Sequence, residues 1–282
     1  MRIVVITNVQ PIAERLIPFL RDLGHEPVAV IAQRTTEERA EHAATNGPLP
    51  YSNVIAPFGV DLLFPTSKET LAPLLRVYEP DVTLCWGFGW KIPQEALDVA
   101  RLGSVNQHPA KLPQHRGPIP FAWAFRDGLD DFGVTWHRMD AELDTGNILA
   151  QTTIPILDDD FEIMEFAPRV GMAAMQLLPQ VFERLEGGDP GDVQPTEGVS
   201  WAGHFEQDEY AEVDLTKTAR ETHNQVRAWR MTFNMTDARG PYLELDGERH
   251  LITRTSLTDP GGDARRVECA DGPIWIVSSE PG

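Results

Sequence analysis

The sequence predicts an α/β fold with a mostly parallel sheet, followed by a small β-rich module at the C-terminal end. Two observations support this prediction. Short apolar runs alternate with helical patterns through the first 110 residues, which is typical of parallel β-α-β units with helices on both faces of the sheet. Beyond residue 240, short strand-like runs are separated by Gly and Asp turns instead.

The first half of the chain supplies the alternation of strands and helices. Its predicted strands are short runs of β-branched and other apolar residues, at residues 2–7, 27–31, 61–64, 81–86 and 102–105. Its predicted helices have apolar residues on one face, at residues 12–23, 67–78 and 93–100. Gly24 ends the first helix, Ser67 is a candidate N-cap of the second, and Pro93 suits the first turn of the third.

After residue 110 the pattern changes, because four prolines and Gly117 interrupt any regular element between residues 109 and 120. We then expect helices at residues 120–127 and 161–185. Two strands, at residues 132–139 and 148–156, are expected to be antiparallel neighbours at the sheet edge. Further on, we expect a helix at residues 215–230 and strands at residues 242–245, 250–255 and 273–277.

These elements predict a larger domain over residues 1–190, a linker over residues 191–206 and a small β-rich domain over residues 207–282. The linker is placed by composition, since residues 187–199 are rich in Gly and Pro. Residues 33–59 are predicted to be a polar loop or lid-like insertion that carries more glutamates than arginines.

The bulk properties limit the classes of function. The 282 residues carry a formal net charge of −19, which disfavours nucleic-acid binding unless a local basic patch prevails. The cysteines, Cys85 and Cys269, cannot form a disulfide framework and favour a reducing compartment. The sequence shows neither a basic leader with a long apolar stretch nor an apolar run of roughly 18 residues, so we expect a cytoplasmic protein without a membrane span.

Three polar residues are candidates for chemistry because of their positions. Asn106 and His108 follow a predicted buried strand, where ligand sites of open α/β sheets lie, and their spacing of two puts them on one face of an extended chain. Asp144 lies in the turn-like sequence Leu143-Asp144-Thr145-Gly146, between two predicted strands that can return it to the same edge.

These residue types suit acyl transfer to an amine. A carboxamide or an imidazolium can hold the negative charge that develops on a carbonyl oxygen, worth ~10²–10³ in rate for one donor. A histidine can take the proton that the attacking amine loses, and a carboxylate can orient that histidine, favour its cationic form or bind a relaying water. The residues by themselves leave a structural interpretation open, with a turn-forming Asn, a satisfied His and a β-turn at Asp144.

A set of spaced motifs resembles the signature of the folate-dependent formyltransferases. The matching segments are Asn106-Gln107-His108-Pro109-Ala110-Lys111-Leu112-Pro113, Arg116-Gly117, Gly133-Val134-Thr135, and Asp140 with Leu143-Asp144-Thr145-Gly146. Trp86-Gly87-Phe88-Gly89 and Ile92-Pro93 extend the resemblance, which covers most of residues 1–186. The stretch from Val213 to Ala228 resembles the helix before the C-terminal domain of methionyl-tRNA formyltransferase and its sugar-modifying relatives.

This resemblance implies a Rossmann-like catalytic domain and a shortened, barrel-like C-terminal domain. It implies that Asn106, His108 and Asp144 are catalytic, and that 10-formyltetrahydrofolate is the co-substrate, with no metal. The residues implied to bind the folate are Trp86, Phe88, Gly89, Ile92, Asp140 and Leu143. The expected substrate-binding residues are Arg116, Gly117 and Pro118. The Arg116 guanidinium suits either an anionic acceptor or a local carboxylate.

The expected reaction is N-formylation, with the amine of a small molecule as acceptor, such as an amino sugar nucleotide or a biosynthetic amine. The acidic net charge, the shortened C-terminal region and the acidic insertion favour a small molecule over RNA. Methionyl-tRNA is the second hypothesis, hydrolysis of formyltetrahydrofolate the third and a non-enzymatic folate-binding module the fourth. The oligomeric state is not predicted.

Two other kinds of site are disfavoured by the sequence. A nicotinamide dehydrogenase needs a glycine cradle for the pyrophosphate, and the turn Thr7-Asn8-Val9-Gln10 after the first strand has no G-x-G-x-x-G. His108, His115 and His137 have no compact ligand spacing and no supporting cysteine, so no metal site is expected.

Overall fold

The computed structural model describes residues 1–33, 51–205, 211–232 and 240–282. Within these residues the chain forms two compact units, each assembled from three segments. The first unit consists of Met1–His108, Thr135–Gln151 and Ala174–Pro195. The second unit consists of Pro109–Val134, Thr152–Ala173 and Thr196–Gly282. The division expected at residue 190 and the linker at residues 191–206 stay predictions.

The larger sheet confirms the expected mostly parallel architecture. Its strands are β1 (Arg2–Ile6), β2 (Glu26–Ile31), β3 (Asp61–Leu63), β4 (Val82–Trp86), β5 (Ser104–His108), β6 (Asp131–Arg138) and β7 (Ile148–Pro155). They are ordered β3-β2-β1-β4-β5-β6-β7. The first five pair in parallel, β5 and β6 are antiparallel, and β6 and β7 are neighbours at the edge. β4 is buried along its whole length, as expected of a strand covered on both faces.

The helices of the described residues follow the predicted apolar faces. They are α1 (Gln10–Asp22), α2 (Tyr51–Ile55), α3 (Leu71–Tyr78), α4 (Gln94–Leu97), α5 (Pro120–Arg126), α6 (Ile163–Glu186) and α7 (Ala219–Arg230). α1 ends just before Gly24, whose φ of +80° is a conformation that glycine adopts without a Cβ penalty. Leu71 and Leu75 of α3 pack in one core cluster with Val4 and Ile6 of β1. None of the helices in the described ranges has the length and apolar character that a bilayer crossing needs.

The expected polar loop at residues 33–59 is corrected where the structure describes it. Residues 34–50 lie outside the described residues, but α2 and a 3-10 turn at Ala56–Phe58 make the last part helical. The buried Tyr51 anchors this part, since its hydroxyl donates to the carbonyl of Thr7 at 3.0 Å. The Ser67 side chain makes no capping hydrogen bond, and a 3-10 turn at Lys68–Thr70 precedes α3.

Part of the segment at residues 187–199, which composition predicts to be a linker, makes side-chain and backbone contacts within the first unit. Asp189 and Asp192 both pair with Arg184, at 2.7 and 2.9 Å. Asp192 also exchanges two backbone hydrogen bonds of 2.8 Å with Ile148. Composition does not reveal these partners, because all of them depend on where the chain lies in three dimensions.

The second unit contains an antiparallel sheet, which confirms the β-rich C-terminal module. Its strands are β8 (Tyr242–Leu245), β9 (Glu248–Ser256), β10 (Arg265–Cys269) and β11 (Gly272–Pro281), in the order β10-β11-β9-β8. β10 is absent from the sequence-based prediction because it is a charged, half-exposed edge strand. α7 begins at Ala219 rather than at residue 215, since Thr218 and Glu221 form a reciprocal capping box there.

His223 of α7 is a buried, neutral histidine in the second unit. Its Nε2 lies 3.0 Å from the Asp158 carbonyl oxygen, which can only accept, so the ring hydrogen is on Nε2. Its Nδ1 then accepts from the hydroxyl of Thr255 at 2.9 Å. Burial, reinforced by the nearby Arg227 cation, lowers the pKa of His223 to about 4.

This burial predicts an acid-sensitive second unit. The folded-state pKa lies below the unfolded value of 6.5, so the unfolded chain binds the proton first as pH falls. We expect the free energy of unfolding to drop by roughly 3 kcal/mol between pH 6.5 and 4 from this group alone. Urea denaturation across that range checks it against His223→Gln, in which this contribution should vanish. Equal pH slopes in the two proteins would contradict the assignment.

Candidate active site

The pairing of β5 with β6 positions two of the candidate residues. The sequence suggests that Asn106 and His108 follow a strand ending at residue 105, but β5 extends to His108 itself. The reason is the antiparallel partner β6, which sets Asn106 opposite His137 and His108 opposite Thr135. Because side chains alternate along a strand, Asn106 and His108 share one face of the sheet.

The turn after β6 brings the third candidate, Asp144, back to this face. Asp140 holds the turn together, since its carboxylate accepts from the Glu142 N–H at 3.0 Å and from the Thr145 hydroxyl at 2.6 Å. Asp140 was expected to bind a cofactor. The contacts that it makes here are within the turn.

Gln194 fixes the same turn from a distant part of the first unit. Its buried amide Nε2 donates to the carbonyl oxygens of Asp144 and Gly146, at 2.9 and 2.8 Å. Asp144 has a φ of +59°, a left-handed conformation that costs a non-glycine residue roughly 1–2 kcal/mol. The two hydrogen bonds from Gln194 help to hold this conformation. The sequence gives no local signal for the role of Gln194.

Gly146 is required by close packing rather than by a special backbone angle. A Cβ at this position would lie 1.9 Å from the carbonyl oxygen of Arg138, at the end of β6. No side chain can therefore be accommodated while the turn rests against that strand. The glycine lets the turn approach closely enough for the Asp144 carboxylate to face β5.

One carboxylate oxygen is the centre of the cluster. Asp144 Oδ1 lies 3.5 Å from Asn106 Nδ2, 3.5 Å from His108 Nδ1 and 3.4 Å from His137 Nε2. The Asp144 side chain is only 10% exposed, and both histidine rings are nearly inaccessible. Contacts of this length are at the limit of hydrogen bonding, so the Asn106 amide and the His108 ring can turn toward a bound substrate.

His137 is a member of the cluster that the sequence analysis considered only for a metal. Its Nδ1 donates to the carbonyl oxygen of Arg138 at 2.7 Å, which leaves Nε2 facing the cluster. Asn106 Nδ2 lies 3.2 Å from that Nε2. The antiparallel register explains this contact, because it places Asn106 directly opposite His137.

The remaining residues expected to bind a cofactor lie in the first unit, all but Leu143 at or just after the end of β4. Trp86 is buried and meets Trp136 edge to face, with ring centroids 5.6 Å apart. Phe88 is partly buried, and the Gly89 N–H donates to Gln33 Oε1 at 3.2 Å. Ile92 is almost wholly buried, and its side chain belongs to the core cluster against which Phe88 packs. Leu143, on the turn with Asp144, is exposed.

The residues expected to bind substrate lie in the second unit. Arg116 forms a backbone bridge with Trp201, and its carbonyl oxygen accepts from the Ala202 N–H at 2.6 Å. Gly117 has a φ of +114°. A Cβ at this position would lie 3.1 Å from atoms of the Trp201 indole. Pro118 is exposed. Among the described residues, no group of three or more His, Cys, Asp or Glu side chains is arranged to hold a metal ion.

The cluster can perform proton transfer and stabilise charge. Asn106 supplies an amide donor, the histidines supply ring nitrogens, and Asp144 supplies a negative charge that orients them. Burial excludes water, so each electrostatic contact acts in a medium of lower dielectric constant than water. This combination suits addition of a nucleophile to a carbonyl group.

Comparison with known sequences gives the family. Residues 1–182 match the sequence profile described as Formyl transferase. A methionyl-tRNA formyltransferase from Pelobacter propionicus is 28% identical over 258 residues, which cover 90% of this chain and 77% of the relative. The match confirms the resemblance drawn from the motifs around Asn106 and Asp144.

Comparison with solved structures supports the fold. HypX from Aquifex aeolicus superposes with a TM-score of 0.67 at 20% identity, over 99% of this chain and 45% of HypX. The chain thus spans less than half the length of HypX. An N-formyltransferase from Helicobacter canadensis, solved with folinic acid and dTDP-3-aminofucose, superposes with a TM-score of 0.69 at 18% identity, over 99% of each chain.

The packing of Gly146 gives a testable prediction. Gly146→Ala is expected to destabilise the protein by several kcal/mol, because the new methyl group collides with a backbone carbonyl that cannot move aside. The control is Gly188→Ala, where φ is +70° but the surroundings are open, so only about 1–2 kcal/mol of backbone strain is expected. Urea denaturation measures both. Equal losses in the two variants would refute the close-packing argument.

Proposed function

The chain belongs to the formyl transferase family, and from this premise we propose that it transfers a formyl group from 10-formyltetrahydrofolate to the amine of a small molecule. The observation that carries the proposal is the convergence of Asn106, His108 and His137 on one oxygen of Asp144, within 3.5 Å. Such a cluster provides both functions that amine acylation requires, proton removal and stabilisation of charge on oxygen.

Two loops of the first unit carry the aromatic, apolar and polar groups that suit folate binding. The Lys91 ammonium and the Glu142 carboxylate form an ion pair at 3.5 Å, which joins the loop after β4 to the turn that carries Asp144. Phe88 and Trp90 meet edge to face on the first loop, and Leu143 is exposed on the second. Aromatic and apolar walls with a few polar groups suit a flat pterin ring. We propose that folate binds between these loops and supplies the formyl carbon.

Each residue of the cluster then has a role. The Asn106 amide would donate to the formyl oxygen as negative charge develops there. His108 presents Nδ1 to Asp144, so we assign its opposite nitrogen, Nε2, to removal of the amine proton and to its delivery to the folate nitrogen as the bond from that nitrogen to the formyl carbon breaks. Asp144 would hold that ring in place and stabilise its positive charge after proton transfer. His137 would orient the Asn106 amide, which lies 3.2 Å from its Nε2.

The acceptor is proposed to be a small-molecule amine, such as an amino sugar nucleotide or a biosynthetic amine. The net charge of −19 supports a small acceptor, because RNA binding relies on clustered cations. We assign Arg116 of the second unit to an anionic group of the acceptor. The free thiols of Cys85 and Cys269 are compatible with the reducing cytoplasm that we propose as the compartment.

Methionyl-tRNA is the second candidate acceptor. The observation in its favour is that relatives aligned over most of this chain, such as that of Pelobacter propionicus, are described as methionyl-tRNA formyltransferases. Hydrolysis of the formyl folate is a third outcome that the same cluster could support if water replaced the amine.

The proposed roles predict that His108→Gln and Asp144→Asn each slow formyl transfer by ~10²–10⁴. The first removes the proton acceptor and the second removes the charge that orients it. The turnover number is measured from the absorbance of released tetrahydrofolate, with circular dichroism to check the fold. His250→Gln on β9 is the matched control and should retain wild-type turnover. A wild-type rate in His108→Gln would show that another group accepts the proton.

The acceptor is tested by a screen with 10-formyltetrahydrofolate. Amino sugar nucleotides, amino acids and charged initiator tRNA are each supplied, and formylated product is detected by mass spectrometry. We expect a small amine to be formylated with a kcat/KM higher than that for the tRNA. Preferential formylation of the tRNA would favour the second candidate, and release of formate without any amine would favour hydrolysis.

A further inference from the structure

The second unit contains a cavity of about 530 Å³ that plays no part in the proposed transfer. Three residues on one face of α7 line it, namely Arg220, Asn224 and Arg227, which are spaced by four and three positions. The opposing walls come from the chain around Gly128 and around Asp158. The cavity is thus polar, and its lining carries two guanidinium groups, Arg220 and Arg227, and two carboxylates, Asp130 and Asp158.

Arg227 is a buried cation whose hydrogen-bond partners are neutral. The residue is 3% exposed, and its terminal nitrogens donate to the Leu157 carbonyl at 2.8 Å and to Asn224 Oδ1 at 2.9 Å. Within the part of the chain that the structure describes, no group accepts a hydrogen bond from its Nε–H. The guanidinium lies 5.0 Å from the centre of the Phe125 ring. Burial lowers the pKa of Arg227, and the nearby carboxylates of Asp158 and Asp160 partly oppose that shift, whereas the hydrogen bonds of Arg227 go to neutral groups.

Arg220 and Asp158 form an ion pair at the exposed side of the same cavity. The Arg220 hydrogen bond lowers the pKa of Asp158, so this carboxylate is ionised and engaged. An exposed pair of this kind contributes little to stability, because solvent screens it and the side chains lose freedom. Arg220 can therefore exchange Asp158 for another anion at small cost.

We propose that this cavity binds a small phosphate-bearing molecule, with its phosphate between Arg227 and Arg220. A phosphate monoester carries about −1.5 to −2 charges at pH 7, and it can accept from both guanidinium groups once Arg220 releases Asp158, whose exposed carboxylate then turns to solvent. The cavity is many times larger than the roughly 30 Å³ that one water molecule occupies, so an organic portion fits beside the phosphate. All residues that line the cavity belong to the second unit, whereas Asn106, His108, His137 and Asp144 belong to the first.

The test is calorimetric titration of the full chain with inorganic phosphate, glycerol phosphate and glycerol. We expect both phosphates to bind at millimolar concentration or below, glycerol phosphate more tightly, and glycerol not at all. Equal affinity for the two phosphates would overturn the organic portion of the proposal, and no binding of either would overturn the site.

The test variants replace Arg220 and Asp158, which form the exposed ion pair, because replacement of the buried Arg227 could unfold the unit. Arg220→Gln should weaken phosphate binding about tenfold by removing one charged donor. Asp158→Asn should strengthen it, because the competing carboxylate is gone while the backbone carbonyl bound by His223 remains. The matched control pair is Arg265 and Asp246, an exposed ion pair elsewhere in this unit.

Arg265→Gln and Asp246→Asn remove the same charges from the protein without touching the cavity. They should leave phosphate affinity unchanged, whereas a general effect of net charge would shift it as much as Arg220→Gln and Asp158→Asn do. Equal shifts in the two pairs would refute the assignment. These measurements report binding alone, so their outcome is independent of whether formyl transfer is detected.

Discussion

The antiparallel register between β5 and β6 is the constraint on which the candidate active site depends. It places Asn106 opposite His137 and lets the chain return through a tight turn that delivers Asp144. A slip of one residue would turn Asn106 and His108 to the opposite face of the sheet. β1 to β5 pair in parallel, so the reversal at β6 is the feature that brings a carboxylate from the far side of a turn back to the end of β5.

The turn itself is constrained on three sides. The Asp140 carboxylate accepts two hydrogen bonds from within the turn. Gly146 allows the turn to pack against the carbonyl of Arg138. Gln194 donates to the carbonyl oxygens on either side of Thr145. Preorganisation of this kind matters for catalysis, because a carboxylate that has to be positioned during the reaction loses much of its electrostatic advantage. The left-handed backbone at Asp144 is thus maintained by its surroundings.

The sequence predicted the residues whose signals are local. The alternation of apolar runs indicated the parallel sheet, and the motif from Asn106 to Asp144 indicated which side chains to examine. His137 and Gln194 were missed as members of the site because their roles depend on register and on long-range hydrogen bonds. The expected contact of Ile92 with a cofactor stays a prediction, and the burial of its side chain in the core could not be foreseen, since a motif does not show which way a residue points. β10 was not predicted, because an exposed edge strand needs no apolar pattern.

The Gln194 contact also bears on how the protein is made. It joins positions separated by fifty residues, and the segment that matches the family ends earlier, at residue 182. During synthesis on the ribosome, the turn that carries Asp144 emerges well before its anchor. A nascent chain therefore contains Asn106, His108 and Asp144 before it contains Gln194, and the two hydrogen bonds that hold the turn can form only after the tail of the first unit has been made.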